Sequence, residues 1–374
     1  MWVVGPAREE FMRFAEGLGG PGEGAVTHAA PPSEGGRLVL TVEVSLDGDI
    51  AGDLLLYAST RYGRSETKVI RYPGGDWFIR DELLKLLTEG ARRHGCDLLV
   101  EVFGGSGVVT MFAPRYVFKR IVYNDKDDVV YSFFKVVRER PEELQRRLIL
   151  TPYSRRQQLD LRELLDPRVR GKLDEVDKAV IFLYLTTTCY AGGLLRGGFN
   201  IPRTQNLPVT YLRKIVALSD LAKRFIDVTL ENKDFREIIK LYDTPRTMFY
   251  CDPPHFSREG EGREGYYELP FMRKDMQELL DMLSRIKGRF VLKLPEDHLS
   301  IPFISAWLRE HKYNVKIVET ALNMQKAIGE EKERYRHALI YNFSVGEEGG
   351  GQVSLLDFGS ATQAQLPIGT DGAE

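Results

Sequence analysis

Seven short apolar runs recur between residues 97 and 343, with amphipathic segments between most of them. They are DLLVEVF (97–103), KRIVYND (119–125), FIDVTL (225–230), TMFYC (247–251), RFVLKL (289–294), VKIVET (315–320) and HALIYNF (337–343). Short runs rich in branched and aromatic side chains suit strands buried on both faces. The intervening segments read as helices. RDELLKLLTEGARRH (80–94) has apolar residues at helical spacing, and DDVVYSFFKVVRER (127–140) sets Val130, Phe133, Phe134 and Val137 on one face. Strand–helix alternation predicts an α/β protein with a mixed, mainly parallel seven-stranded sheet of Rossmann-like type, helices covering both faces.

The fourth run ends in FYCDPPHF (249–256). Proline cannot donate to a ladder, so the strand must stop at Cys251 or Asp252. The residue before a proline is held extended. Asp252 is thus a stiffly held acid at a strand end, where open α/β sheets place their chemistry. A turn carrying a solvated acid fits these eight residues equally well.

Two further strand ends carry suggestive residues. The first run leads into FGGSG (103–107), a turn that lets backbone approach a ligand, or simply a tight structural turn. The second ends in YND (123–125), which places Asp125 for a ribose diol; Asn124, Asp125 or Asp127 could instead cap a helix. The glycines of 104–107 depart from GxGxxG, so a nucleoside smaller than a dinucleotide is expected. RYPGGDW (71–77) makes a rigid loop ahead of the first long helix.

Bulk properties limit the remaining choices. The 374 residues suffice for one large or two ordinary domains, and a net charge of −2 excludes a uniformly basic nucleic-acid binder. Cys96, Cys189 and Cys251 are odd in number and show no metal-ligand spacing, which favours a reducing cytoplasm and no metal. No apolar run approaches the ~18 residues of a membrane span, and the first residues do not read as a secretion signal. Residues 1–65 are expected to be an extension of unassigned role, or sequence ahead of the true start codon. It comprises a Gly/Pro/Ala-rich linker (17–36) and a small β hairpin from 37–49 and LLLYAST (54–60). Residues 66–140 and 225–344 form the α/β domain, 141–224 a helical insertion, and 345–374 a loose tail.

The order YPGGD, FGGSG, YND, DPPH resembles the Dam-type adenine-specific DNA methyltransferases, which run from a YxGGK loop through FxGxG and an acid-ended ND strand to DPPY. TPYSRRQ (151–157) and ENKDF (231–235) also resemble family segments, and the likeness extends from about Lys68 to Phe343. It implies S-adenosylmethionine as methyl donor and transfer to the N6 amine of adenine in double-stranded DNA, the target base extruded. Tyr72, Gly74, Gly75, Phe103, Gly104, Gly105 and Gly107 would border the cofactor. Asp125 would take its ribose hydroxyls, and Asp234 and Phe235 its adenine. Asp252, Pro253, Pro254 and His255 would form the catalytic motif, and 141–224 would recognise the DNA site. A companion restriction endonuclease is a further implied partner; the oligomeric state is open. Two positions depart from the pattern: His255 replaces the stacking tyrosine, and Asp76 replaces lysine, for which Lys293 could compensate.

Basic residues gather in the insertion. Arg155, Arg156, Arg196, Arg203, Asn206 and Arg213 are the candidate nucleic-acid contacts, since arginine and amides read base edges. A solvated helix face explains such charges as well. Three alternatives stay open: an RNA substrate, a cytosine amine, or a DNA-binding relative with a decayed catalytic loop.

Overall fold

The computed structural model describes residues 49–62, 70, 76–189, 197–201, 203, 205–254, 271–321 and 334–345. The chain divides into two compact units: 1–75, 127–227 and 265–268 form one, and 76–126, 228–264 and 269–374 the other.

The second unit is built on the expected sheet. Its strands are β1 (Leu98–Glu101), β2 (Arg120–Asn124), β3 (Val228–Glu231), β4 (Thr247–Cys251), β5 (Arg289–Pro295), β6 (Asn314–Ala321) and β7 (Arg334–Tyr341). Their order is β3-β2-β1-β4-β5-β7-β6. The first five pair in parallel, while β7 runs antiparallel to both β5 and β6. The strand direction of β1 through β5 brings the ends of β1, β2 and β4, with their glycine turn and two acids, to one edge of the sheet.

Pleat parity then sorts the side chains, because successive residues point to opposite faces. Leu98, Val100, Val122, Phe249, Cys251, Phe290, Leu292, Leu294, Ala338 and Ile340 join one apolar core with helices Phe235–Tyr242, Arg273–Leu283 and Pro302–His311. The alternate residues Glu101, Tyr123, Tyr250, Lys293 and His337 belong to the other face, on which helix Arg80–His94 packs against β5. That helix ends at Gly95 in the left-handed region (φ 70°), which a side chain rarely adopts.

The first unit is helical among its described residues. Helices Asp128–Glu139 and Glu175–Thr188 pack through Phe133 and Phe182, whose ring centroids lie 4.9 Å apart. Asp127 and Asp174 cap them, accepting from the backbone N–H groups of Val129 (2.9 Å) and Asp177 (2.7 Å). Asp127 is thus the cap among the three residues considered. Pro141 opens helix Pro141–Ile149 as expected. Gln145 donates to the Ile215 carbonyl at 2.8 Å, and the Tyr211 hydroxyl donates to that of Leu148 at 2.9 Å.

Two local expectations are corrected. LLLYAST (54–60) is not a strand but part of helix Ile50–Tyr62. Its buried residues, Ala51 and Ala58, are seven apart, which is two helical turns, whereas on a strand they would face opposite ways. The Asp49 carboxylate accepts from the Gly52 N–H at 3.0 Å and starts it. The other half of the expected hairpin, up to residue 48, lies outside the described residues. The single amphipathic helix expected over 210–225 is two, Leu207–Val216 and Leu218–Phe225. Phe225 therefore ends a helix, packed on Phe134 at 4.6 Å, and the following strand begins only at Val228.

Candidate active site

Asp252 follows β4 directly, before two prolines, and its side chain is 15% exposed. Lys293, on the neighbouring strand β5, is fully buried and donates to Asp252 Oδ2 at 2.7 Å. The same ammonium bonds Asp76 Oδ1, and the Tyr250 hydroxyl donates to Asp76 Oδ2 at 2.6 Å. The compensating cation expected from the lysine-to-aspartate departure is therefore in place. Among the described residues, neither Asp252 Oδ1 nor the Pro253 carbonyl accepts a hydrogen bond. Burial raises the Asp252 carboxyl above its ordinary range, Lys293 pulls it back, and Asp76 pushes it up.

Glu101 ends β1 beside this group, buried, with Oε2 accepting the Thr110 N–H at 2.9 Å. Burial raises its pKa to about 8, and Asp76 adds to the rise. His337, across the sheet on β7, is depressed to about 4, first by burial and then by Lys293.

The glycine turn lies at the end of β1. Gly105 (φ 48°) and Gly107 (φ 66°) occupy the left-handed region. Gly104 has a different reason to be glycine: an added Cβ would sit 2.2 Å from the Tyr123 ring. The Gly104 N–H donates to the Asn124 carbonyl at 2.7 Å, and the Gly105 N–H to Asp125 Oδ2 at 2.8 Å. Buried Asn124 ties three segments: its amide donates to the carbonyls of Val102 (2.8 Å) and Lys233 (3.0 Å) and accepts the Lys233 N–H (2.9 Å).

Asp234 caps helix Phe235–Tyr242 through the Arg236 N–H at 3.0 Å, and pairs with Lys126 at 2.9 Å. Phe103, half-buried, forms a ring cluster with Phe235 and Phe271 at centroid distances of 5.7 to 5.8 Å. Phe235 is only 4% exposed and carries the Arg236 guanidinium 4.3 Å from its ring centroid. A partly exposed acceptor at Asp125, an aromatic face at Phe103 and a turn closed to side chains at Gly104 make a lining that fits a nucleoside with a diol, while Asp234, 18% exposed, already accepts from Lys126 and Arg236. Tyr72, Gly74, Gly75 and His255 lie outside the described residues.

Tyr250, Glu101, His337 and Phe271 were not singled out in the sequence. Pleat parity could have found the first two. In YC-D and VE-V, counting back in twos from the strand ends puts a polar group on the face opposite the apolar core.

In the first unit, Arg155, Arg156, Arg203, Asn206 and Arg213 are exposed, while Arg196 lies outside the described residues. Arg155 stands over the Phe199 ring at 5.6 Å, and Arg156 pairs with Asp160 at 3.0 Å. Asn206 caps helix Leu207–Val216, accepting the Val209 N–H at 3.3 Å. Other basic residues serve internal pairs: Arg146 with Asp49, and Arg147 with Asp177 at 2.6 Å.

A model of the D12 class N6 adenine-specific DNA methyltransferases matches residues 72–324. The chain is 25% identical over 201 residues to the type II methyltransferase M.MjaIII of Methanocaldococcus jannaschii, covering 50% of this chain and 68% of that one. Two solved structures show low similarity. One is a precorrin-8w decarboxylase of Methanobacterium thermoautotrophicum (14% identity, TM-score 0.31, 74% of this chain and 94% of that one). The other is a precorrin-6y C5,15-methyltransferase from Geobacter metallireducens (15%, 0.30, 74% and 98%). With the glycine turn, the acid-ended second strand and Asp252 all inside the matched region, the chain belongs to the D12 class of N6 adenine-specific DNA methyltransferases.

Proposed function

We propose that this adenine-specific DNA methylation takes place at Asp252, with S-adenosylmethionine as methyl donor and the target adenine extruded from double-stranded DNA. The observation that carries the assignment is a pair of acceptors at one strand end, Asp252 Oδ1 and the Pro253 carbonyl, which take no hydrogen bond among the described residues. The amine of adenine is a poor nucleophile because its lone pair is delocalised into the ring. Two acceptors, one for each N–H, favour a pyramidal nitrogen with a localised pair. Proline suits the second place because it offers a carbonyl and no donor. Fixed polar groups of this kind typically contribute about 3 kcal/mol each to a transition state. The ionised Asp252 carboxylate would also accept the proton the nitrogen sheds after transfer.

The bound donor supplies an electrophilic methyl on a sulfonium. Phe103 and the glycines at 104, 105 and 107 would border it, Asp125 would take the ribose hydroxyls, and Asp234 and Phe235 would meet its adenine. Asp125 is supported by its fixed bond to the glycine turn. A base stacked in a duplex presents its amine inside the helix, which is why extrusion is required. Tyr72, Gly74, Gly75, Pro254 and His255 complete the site by resemblance, with the His255 ring stacking on the base. Segment 141–224 reads the DNA through Arg155, Arg156, Arg196, Arg203, Asn206 and Arg213, exposure of the described members supporting this. The name of the archaeal relative supports a companion restriction endonuclease. Among the described residues no helix is long and apolar enough to cross a membrane, and the three cysteines are free; we place the enzyme in the cytoplasm.

The test is incubation of purified protein and methyl-labelled donor with duplex DNA, RNA and free nucleosides, followed by nucleoside mass spectrometry. N6-methyladenine in duplex DNA is expected. Label in RNA or cytosine alone would overturn the substrate, and DNA binding without transfer would support a decayed catalyst.

A further inference from the structure

We propose that Lys293 is the positioning residue for Asp252: its ammonium, shared with Asp76, fixes which carboxylate oxygen faces the substrate and holds that carboxylate ionised. The proposal rests on Asp252 being the amine acceptor.

An ammonium with no access to water persists only when bonded to opposite charge. Lys293 is 0% exposed, and its two carboxylate partners come from different segments. Pleat parity makes the position specific. A lysine at 292 or 294 would enter the apolar core, while 293 points to the face that carries Tyr250. Asp76 is in turn anchored at its second oxygen by Tyr250, two residues before Asp252 on the same strand. The bonds therefore close a ring: Tyr250 to Asp76, Asp76 to Lys293, Lys293 to Asp252, and back along β4. A carboxylate held by one oxygen in such a ring cannot rotate freely, so Oδ1 is the oxygen left for the amine.

Six ionisable groups meet here, namely Asp76, Glu101, Tyr250, Asp252, Lys293 and His337. Glu296, the next acid along the chain from β5, is paired away to Arg336 at 2.8 Å. His337 stays neutral above pH 5, and Tyr250 is raised well above the neutral range, first by burial. Asp76 and Lys293 act on Asp252 with opposite sign, and the cation acts more strongly. Removing each should therefore move the Asp252 titration in opposite directions.

The experiment measures kcat from pH 5.5 to 9.5, with DNA and methyl donor saturating, for wild type, Asp76→Asn, Lys293→Met and the double variant. All are made in a Glu101→Gln background, so that Glu101 does not titrate in the window. Activity needs the ionised form, so it rises through the Asp252 midpoint. The expected order of midpoints is Asp76→Asn lowest, then wild type, then the double variant, then Lys293→Met. The last should lie about 1–3 pH units above wild type, the usual effect of one adjacent opposite charge. The loss should fall on kcat, with KM for DNA unchanged. Four coincident midpoints would overturn the proposal, since a merely structural lysine lowers stability without moving a titration. Should Lys293→Met not fold, Asp76→Asn still must move the midpoint down. Difference infrared spectroscopy of the free protein, with Asp252→Asn as the subtraction, reads the same order without substrate. The order seen there in a protein that methylates nothing would sink the function and leave Lys293 as the residue that sets Asp252. Methylation with an invariant midpoint would sink the role of Lys293 alone.

Discussion

Gly104 gives the sharpest test of how the turn is built, because its backbone is ordinary and only space forbids a side chain. Its φ is not among the positive ones, so alanine meets no backbone strain. An added Cβ would lie 2.2 Å from Cε2 and 2.3 Å from Cζ of Tyr123, against an ordinary contact of about 3.5–4.0 Å. The ring must move by more than 1 Å, roughly the difference between those separations. Tyr123 is fully buried, and its hydroxyl donates to the Gly105 carbonyl at 2.9 Å. Displacing the ring breaks that bond, at about 1 kcal/mol, and overpacks the surroundings, at about 1–3 kcal/mol. Gly104→Ala should thus destabilise the protein by about 2–4 kcal/mol, read by urea unfolding monitored by circular dichroism. The clash has one named partner, so Tyr123→Ala should remove most of it. The double variant should be little worse than Tyr123→Ala alone, a coupling of about 2 kcal/mol in a double-mutant cycle. Simple additivity would refute the reasoning and place the need for glycine in the backbone or a ligand instead.

Three further outcomes follow from the geometry. Asp252→Ala should lower kcat at least about 100-fold while equilibrium dialysis shows methyl-donor affinity nearly unchanged, if the residue acts on the amine as proposed; lost affinity with normal turnover at saturation would contradict that role. Glu101 has a folded pKa of about 8, above its unfolded value, so the native state binds the extra proton and stability falls as pH rises between about 4.3 and 8, by up to ~1.4 kcal/mol per unit. Glu101→Gln should flatten that slope in unfolding curves taken at pH 5, 6.5 and 8, and an unchanged slope would assign it to other groups. Asp174→Ala should lose about 1 kcal/mol of stability and Asp174→Ser almost none, since the cap bond to the Asp177 N–H is what matters; equal losses would point to charge instead.

The sheet was legible because each strand is a short apolar run with a clear end, and the family likeness rested on residues at those ends. TMFYC (247–251) and β4 coincide, and the acid before two prolines is where the strand stops. Helix Ile50–Tyr62 was misread because LLLYAST presents three leucines and a tyrosine in a row, a run whose period is ambiguous over seven residues. The break at Ala217 was not legible, since alanine favours a helix and nothing local stops one there. At the site, the sequence singled out Asp76 and Lys293 as opposite charges 217 positions apart, but not Tyr250, whose bond to Asp76 depends on β4 pairing between β1 and β5. Bonds across strands follow from sheet order, which strand patterns alone leave open.

That bond pattern limits how the site can change. Glu101, Tyr250 and Lys293 form a polar layer on a sheet face where a doubly covered parallel sheet ordinarily sets apolar side chains. Such a layer is stable only if its members satisfy one another. Asp76 and Lys293 are therefore coupled unequally: removing Lys293 leaves the buried carboxylates of Asp76 and Asp252 without their cation, at about 3–5 kcal/mol, whereas removing Asp76 leaves Lys293 bonded to Asp252. A lysine at position 76 would itself supply a cation, and none would then be required at position 293. Within the class, an acid at position 76 should accordingly accompany lysine at position 293, and a chain with an acid at 76 and a neutral residue at 293 should transfer methyl groups only at higher pH, its kcat midpoint raised as in Lys293→Met.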